Sequence, residues 1–207
     1  DVSAPITIAV IAEMLGVPAS DRALLFRCTN EVIAPEDPEF QREGSAEKTI
    51  EGARIELFQY FDAMSRERRA KPREDIVSVV ANGQVEASAL NPVELLSYYL
   101  LLVVAGNETT RNAMSGGLLA LIEHPAELAK LRANPALVES AVEEIVRWTT
   151  PVIQFCRTAT RDMEIRGVKV RAGQALCLFY PSANRDEEVF EDPFASLGSR
   201  GPPQPDP

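Results

Sequence analysis

The sequence predicts a mainly α-helical protein with a small β element towards its C-terminal end. Apolar residues recur at helical spacing up to about residue 150. Between 92 and 123 no helix-breaking residue appears, which predicts one long central helix. From 163 to 179 apolar and polar residues alternate in twos, as is typical of short strands joined by turns.

The helices that precede the central one are predicted from apolar spacing and from end signals. The segment 6–34 is helical in pattern and is interrupted by the sequence GVPASDR at 16–22. Ser20 is the expected N-cap of the helix that follows this interruption. A long helix is expected from Ser45 to about Arg69.

The central helix has a clear start signal. Asn91 is the expected N-cap, Pro92 suits the first turn, and Glu94 completes an arrangement like a capping box. At 1.5 Å per residue, a helix of about 32 residues is roughly 48 Å long. A helix of this length and apolar character is expected to run through the centre of a domain.

Proline marks the boundaries of the next elements. A short helix is expected to start at Pro125, and an amphipathic helix to run from Pro135 until Pro151 ends it. The alternating segment that follows has Gly167 and Gly173 at its expected turns, which predicts two or three short strands in hairpins.

Composition and charge exclude several functional classes. The chain has 207 residues, 45% of them hydrophobic, as expected for a packed globular protein. A net charge of −10 argues against a nucleic-acid partner and against an anionic membrane surface. The longest apolar run, 95–106, is shorter than the roughly 18 residues of a membrane span, so no span is expected.

The cysteines and the histidine indicate neither a disulfide framework nor a metal site. Cys28, Cys156 and Cys177 are widely separated and form no C-x-x-C pair, which suits a reducing cytoplasm. The chain has one histidine, His124, so no metal cluster of His and Cys ligands is expected. We therefore expect a cytoplasmic protein.

The sequence Ala-Gly-Asn-Glu-Thr-Thr at 105–110 interrupts the apolar run of the central helix. Glycine inside a helix costs about 1 kcal/mol relative to alanine, while the small pair Ala105-Gly106 allows a flat or bulky group to approach the backbone. A carboxylate beside a hydroxyl, as in Glu108 and Thr109, can relay protons. The alternative interpretation is an exposed i, i+3 ion pair between Glu108 and Arg111 on a surface turn.

Two further candidates follow the central helix. Glu144 and Arg147 share one helix face, where a solvated salt bridge is the simpler interpretation. Arg157 lies in an apolar stretch and therefore needs an anionic partner, which either the protein or a ligand could supply. An Asn-Arg-Asp turn follows within 182–193.

The order and spacing of these motifs resemble the cytochrome P450 family of haem-thiolate monooxygenases. The motifs are A-G-x-E-T-T, E-x-x-R, the later Arg157 and A-N-R-D…F-x-D-P-F. The resemblance covers 1–194 and implies an incomplete cytochrome P450 fold over 1–195. The sequences VAGNETTRNAM and EEIVRWTTPV look most like the bacterial subgroup that oxidises sterol side chains and methyl-branched lipids. The resemblance therefore implies a hydrophobic substrate, haem, O2 and electrons from a ferredoxin-type donor.

The resemblance also implies a role for each matching residue. Ala105 and Gly106 would lie over the haem and leave space for dioxygen. Glu108 and Thr109 would be the acid–alcohol pair that delivers protons to oxygen at the haem. Arg157 would pair with a haem propionate.

Two further groups of residues receive roles from the resemblance. Glu144 and Arg147 would be structural and would tie their helix to a later loop. The residues expected to line the substrate pocket are Val103, Val104, Val152, Ile153 and Phe155.

The sequence departs from the family pattern after Phe194. The family holds its iron with a cysteine thiolate in a Phe-x-x-Gly-x-x-x-Cys-x-Gly loop, and these 207 residues contain no such loop. Residues 196–207, rich in proline and glycine, are expected to be a disordered tail. We expect a gene fragment or frameshift product that is inactive and does not bind haem stably. The alternative is a helical module that binds a lipid or a partner without haem.

The missing thiolate loop leads to a spectroscopic prediction. A polypeptide of these 207 residues, reduced and exposed to carbon monoxide, is expected to show no Soret band of the thiolate type, because a cysteine ligand generates that band. The absorbance difference spectrum checks this prediction, and a thiolate-type band would contradict it.

Overall fold

The computed structural model describes residues 2–42, 44–85 and 88–194. These residues belong to two compact units, 1–111 and 112–207, and the boundary falls inside the long helix. The tail expected to be disordered, 196–207, lies outside the described residues. In the described part of the chain, no helix is both long and apolar enough to cross a membrane.

In its described residues, the first unit consists of helices and one very short antiparallel strand pair. A 3₁₀ turn at Ala19–Asp21 precedes the second helix. The elements in chain order are α1 Ser3–Leu15, α2 Arg22–Ile33, α3 Ala46–Ala70, α4 Ile76–Asn82, β1 Gln84–Val85, β2 Ser88–Ala89 and the start of α5, Pro92–Glu123.

The second unit contains the end of α5, further helices and two antiparallel strand pairs. Strand β3 pairs with β6, and β4 pairs with β5. The elements in chain order are α6 Pro125–Ala133, α7 Val138–Thr149, β3 Gln154–Thr158, β4 Met163–Ile165, β5 Val168–Val170, β6 Ala175–Phe179 and α8 Tyr180–Ala183.

The predicted fold class is confirmed, since most of the described chain is helical and its strands are short. The central helix has the predicted bounds, Pro92–Glu123. Its capping box is present, because Asn91 Oδ1 accepts from the backbone N–H of Glu94 at 3.0 Å and Glu94 Oε2 accepts from the N–H of Asn91 at 3.0 Å.

Three local predictions are corrected. Ser20 is not an N-cap, because its hydroxyl donates to Asp21 Oδ1 at 2.7 Å and α2 begins after a 3₁₀ turn. The amphipathic helix begins at Val138, because Pro135 starts a separate 3₁₀ turn. The turn at Gly173 does not close a hairpin between its flanking strands, since β6 pairs with β3, a strand that the sequence pattern did not predict.

One face of α5 packs into the hydrophobic core of the first unit. Leu95, Tyr99 and Val103 follow each other at four-residue spacing and are at most 3% exposed. The Phe61 ring of α3 stacks on Tyr99 with 5.0 Å between ring centroids. The Tyr99 hydroxyl donates to the carbonyl of Val77 at 3.1 Å, so the ring is fixed at both ends.

A buried ion pair joins α1, α3 and α4. Arg68, 2% exposed, donates from Nε to Asp75 Oδ2 at 2.6 Å and from Nη2 to the carbonyl of Gly16 at 3.1 Å. Asp75 also caps α4 by accepting from the N–H of Ser78 at 2.7 Å. Gly16 has φ +74, and a Cβ there would lie 2.3 Å from the Asp75 carboxylate, so only glycine fits this position.

The pKa of Asp75 is set by opposing effects. Burial by itself raises this pKa, but the hydrogen bonds from Arg68 and Ser78 outweigh burial and hold it below its usual value of 3.8. Because the pKa is lowered in the folded state, Asp75 stabilises the fold above the unfolded-state pKa. That stabilisation is lost as the pH falls through the folded-state pKa.

The substitution Asp75→Asn is therefore expected to reduce the free energy of unfolding by about 3 kcal/mol at pH 7, because it removes the buried carboxylate of Arg68 and leaves only the half-exposed Glu67 as its ionic partner. The difference from the wild type should begin to shrink below about pH 4, the unfolded-state pKa, and should continue to shrink as the pH falls through the lower folded-state pKa. Urea denaturation at several pH values measures both effects. The control Asp62→Asn, which removes an exposed pair with Arg66, should cost less than about 1 kcal/mol. Equal losses in the two variants would contradict the prediction.

Candidate functional site

The face of α5 opposite its core residues is open in the first unit. Tyr98 is 47% exposed and Leu101 is 60% exposed, and Ala105 continues this stripe one turn later. Thr109 follows Ala105 by four residues and Glu108 lies beside it, both partly exposed. The predicted acid–alcohol pair, Glu108 and Thr109, therefore lies on the open face next to Ala105, whose side chain is a single methyl group.

Gly106 and Asn107 lie towards α1 instead. A Cβ at Gly106 would be 3.1 Å from Ile11 Cδ1, so the glycine allows the two helices to approach closely. Asn107 is fully buried, and its Oδ1 accepts from the Thr7 hydroxyl at 2.9 Å. Part of the polar interruption in α5 thus serves helix packing, which sequence reasoning missed because the α1 partners are about 100 residues away.

The polar pair on α5 has local partners. The Thr109 hydroxyl donates to the carbonyl of Ala105 at 2.7 Å, within a helix that stays regular. Glu108 forms an i, i+3 ion pair with Arg111, as in the alternative interpretation. The side chains are only 19% and 24% exposed, so the pair is largely covered rather than a solvated surface pair.

The residues expected to line a substrate pocket differ in exposure. Val103 is fully buried in the core cluster of the first unit and Val104 is half-buried. In the second unit Val152 is half-buried, Ile153 is 60% exposed and Phe155 is 53% exposed. Val103 thus packs on the core side of α5, whereas Ile153 and Phe155 present apolar surface.

Glu144 and Arg147 form a buried two-point pair in the second unit. Arg147 donates from Nε to Glu144 Oε2 at 2.7 Å and from Nη2 to Oε1 at 2.6 Å, and both side chains are less than 10% exposed. Arg147 Nη1 also donates to the carbonyls of Asn184 at 2.7 Å and Pro193 at 3.1 Å. The pair is therefore not a solvated salt bridge and ties α7 to the segment 184–193.

A second arginine, Arg185 of the Asn-Arg-Asp turn, packs against the C-terminal end of α7. Arg185 donates to the carbonyls of Arg147 at 3.1 Å and Trp148 at 2.9 Å, and its guanidinium lies over the Trp148 ring. Burial first, and then the neighbouring Arg147 cation, lowers the pKa of Arg185. The sequence motif marked this turn without indicating that Arg185 binds carbonyl groups freed at a helix C-terminus.

Arg157 is exposed on strand β3. Its Nη1 donates to the carbonyl of Cys156 at 3.0 Å, and its guanidinium lies 5.6 Å from the centroid of the Phe155 ring. In the described segments of the chain, no carboxylate lies within ion-pair distance of Arg157. The sequence predicted an anionic partner for Arg157, either from the protein or from a ligand. Within those segments, the protein does not supply one.

The three cysteines lie in different settings. Cys28 is fully buried, and burial is the main cause that raises the pKa of its thiol to about 12. Cys156 and Cys177 are exposed on β3 and β6. Among the described residues, no group of three or more His, Cys, Asp or Glu side chains is arranged to hold a metal ion.

Comparison with known proteins gives consistent matches. A family model described as cytochrome P450 matches residues 39–195. Steroid C26-monooxygenase of Mycobacterium tuberculosis is 42% identical over 203 residues, covering 97% of this chain and 45% of that protein. Methyl-branched lipid omega-hydroxylase of the same species is 36% identical, covering 98% of this chain and 47% of that protein.

A solved structure also matches closely. A cytochrome P450 of Mycobacterium marinum, in complex with pseudoionone, superimposes with a TM-score of 0.90 at 33% identity. The match covers 98% of this chain and 49% of that structure. The chain thus spans about half the length of the relatives that it matches.

The buried pair of α7 allows a stability test. Arg147→Met should lower the free energy of unfolding by about 3 kcal/mol, because Glu144 is then left as an unpaired buried carboxylate. The segment 184–193 should also become more sensitive to protease, since Arg147 no longer holds it. Urea denaturation and limited proteolysis measure these effects. Arg166→Met is the matched control, because Arg166 pairs with Glu188 at a fully solvated site and should cost less than about 1 kcal/mol. Wild-type protease resistance in Arg147→Met would contradict the prediction.

Proposed function

Because the chain belongs to the cytochrome P450 family, we propose that it forms part of a haem-dependent monooxygenase that hydroxylates a hydrophobic substrate. The observation that carries this proposal is the division of α5 into two faces. One face is buried in the core, while the other presents Ala105, Glu108 and Thr109 together. A small residue beside an acid and a hydroxyl suits proton delivery next to a flat ligand.

Each unit, taken by itself, contains one described residue that suits a haem group. Arg157 offers an exposed guanidinium with no carboxylate partner in the described segments, and a propionate would supply that partner. Ala105 adds only a methyl group to the open face of α5, so a planar group can approach it. When bound, a haem supplies the electron-transfer and oxygen chemistry of the family.

Proton delivery is assigned to this chain's own side chains. The Thr109 proton is held by the carbonyl of Ala105 at 2.7 Å, and rotation about χ1 releases it towards the open face. Glu108 then leaves Arg111, takes up a proton from solvent and passes it to the Thr109 oxygen. The methyl group of Ala105 leaves room beside the hydroxyl for the group that accepts the proton.

The substrate class is proposed from the relatives and from the exposed apolar surface of the second unit. The two curated relatives are named for steroid C26 and for methyl-branched lipid omega positions, both on long apolar molecules. Ile153 and Phe155 present apolar side chains that suit such a substrate. Electrons would come from a separate redox partner, and a ferredoxin is the proposed type.

A polypeptide confined to these 207 residues is proposed to lack this activity. Cys28 is held as a buried thiol, while Cys156 and Cys177 lie in paired strands outside any thiolate-loop motif. The second candidate function is a non-catalytic helical module that binds a lipid or a partner. It is supported by an apolar cavity of about 340 Å³ at α1 and α2, lined in part by Ile8 and Phe26.

A chimera tests the proposal. This chain would replace the matching segment of steroid C26-monooxygenase of Mycobacterium tuberculosis, which supplies the remaining half. The chimera is expected to give the thiolate-type carbon monoxide band. Thr109→Ala should keep that band and substrate binding but lower the hydroxylated product per electron consumed by about 100-fold, because proton delivery fails.

Thr109→Ser, which keeps the hydroxyl, is the matched control and should retain most of the product yield. Arg157→Ala should reduce haem occupancy, measured as haem per polypeptide. A chimera that folds but takes up no haem would favour the non-catalytic module. Full product yield in Thr109→Ala would contradict the assigned proton route.

A further inference from the structure

Two cysteines face each other across the β3–β6 strand pair. The antiparallel register places Cys156 directly opposite Cys177. The N–H of Tyr180 donates to the carbonyl of Ile153 at 3.0 Å, which identifies that pair as hydrogen-bonded. Because hydrogen-bonded and non-hydrogen-bonded pairs alternate, the cysteine pair three residues further along is non-hydrogen-bonded.

This position brings the two side chains close together. Opposed residues in non-hydrogen-bonded pairs typically have Cα atoms about 4.5 Å apart, within the range of about 4.4–6.8 Å that disulfides span. The Cys177 thiol donates to Gln154 Oε1 at 3.0 Å, and Gln154 lies two residues before Cys156 on the same face of β3. The two sulfurs therefore already share one face of the strand pair.

Both thiols can also be reached from solvent. Cys156 and Cys177 are free and exposed, whereas the third cysteine, Cys28, is fully buried on α2. Desolvation first, and then the Cys156 sulfur, raises the pKa of Cys177, so reaction through its thiolate should become faster with increasing pH. Exposed disulfides are the labile and reversible ones, which distinguishes such a pair from a structural disulfide framework.

We propose that Cys156 and Cys177 form a redox-active dithiol that a small-molecule disulfide, such as oxidised glutathione, converts to a reversible cross-strand disulfide. The thiolate of one cysteine attacks a sulfur of the small molecule, forms a mixed disulfide and releases one thiol. The other cysteine then attacks the protein sulfur of the mixed disulfide and releases the second thiol. Two protein thiols become one disulfide, and one small disulfide becomes two thiols, so the two electrons and two protons balance.

The new bond would fasten β3 to β6 at the residue that precedes Arg157. It would thus limit separation of the two strands beside that exposed guanidinium. The proposal depends only on the strand register and on thiol exposure, and it holds whether or not the chain binds haem.

The test uses the full chain, reduced and then treated with oxidised glutathione under native conditions. After acid quenching and alkylation, peptide mass spectrometry should find Cys156 joined to Cys177 with the loss of two hydrogen atoms. Cys28 should be recovered as the alkylated thiol. Reduction should restore both free cysteines.

The matched control is the double variant Phe155→Cys with Cys156→Ser, which moves the thiol by one residue to the opposite face of β3. This variant should carry glutathione on separate cysteines and give at least about tenfold less cross-link, since facing side chains are required. If the control does not fold, the wild type in urea replaces it, where Cys28 should enter the cross-links. Separate glutathione adducts or unreacted thiols in the native wild type, or equal cross-linking in the folded control, would overturn the proposal.

Discussion

The packing of one side of α5 into the core is the constraint on which the candidate site depends. Tyr99, Val103 and Asn107 follow each other at four-residue spacing and are fully buried against α1, α3 and α4. Rotation of the helix would expose these side chains and bury Ala105 and Thr109 in their place. Since helical geometry links the two faces, the core contacts determine which polar residues of the central helix reach the open side.

The arginines show how burial separates structural cations from cations available to a ligand. Arg68 and Arg147 are at most 7% exposed, and each is paired with a carboxylate and hydrogen-bonded to backbone carbonyls. Such pairing is required, because an unpaired charge in a low-dielectric interior is costly. Arg157 is solvated and needs no internal partner, so it can bind an anion without first losing a carboxylate. This contrast supports its proposed role more strongly than its position in the sequence does.

The sequence predicted elements well where the physical cause is local. The start of α5 is set by Asn91 and Glu94, whose side chains accept from each other's backbone N–H groups, so it followed from the local sequence. Ser20 was assigned wrongly because its hydroxyl binds Asp21 instead of a helical N–H. Strand β3 was missed because its partner β6 lies about 20 residues later in the chain, and strand pairing depends on such distant contacts.

By itself, the sequence determined the mainly helical class, the extent of the central helix and the residue types of the candidate site. These features arise from spacing and capping within a few residues, so the groups that interact are also close together along the chain. Only the tertiary structure decided that Gly106 admits Ile11 of α1, that Arg147 is buried and bound to the segment 184–193, and that Cys156 faces Cys177. Each of these contacts joins residues far apart along the chain, and burial and strand register, rather than local pattern, bring them together.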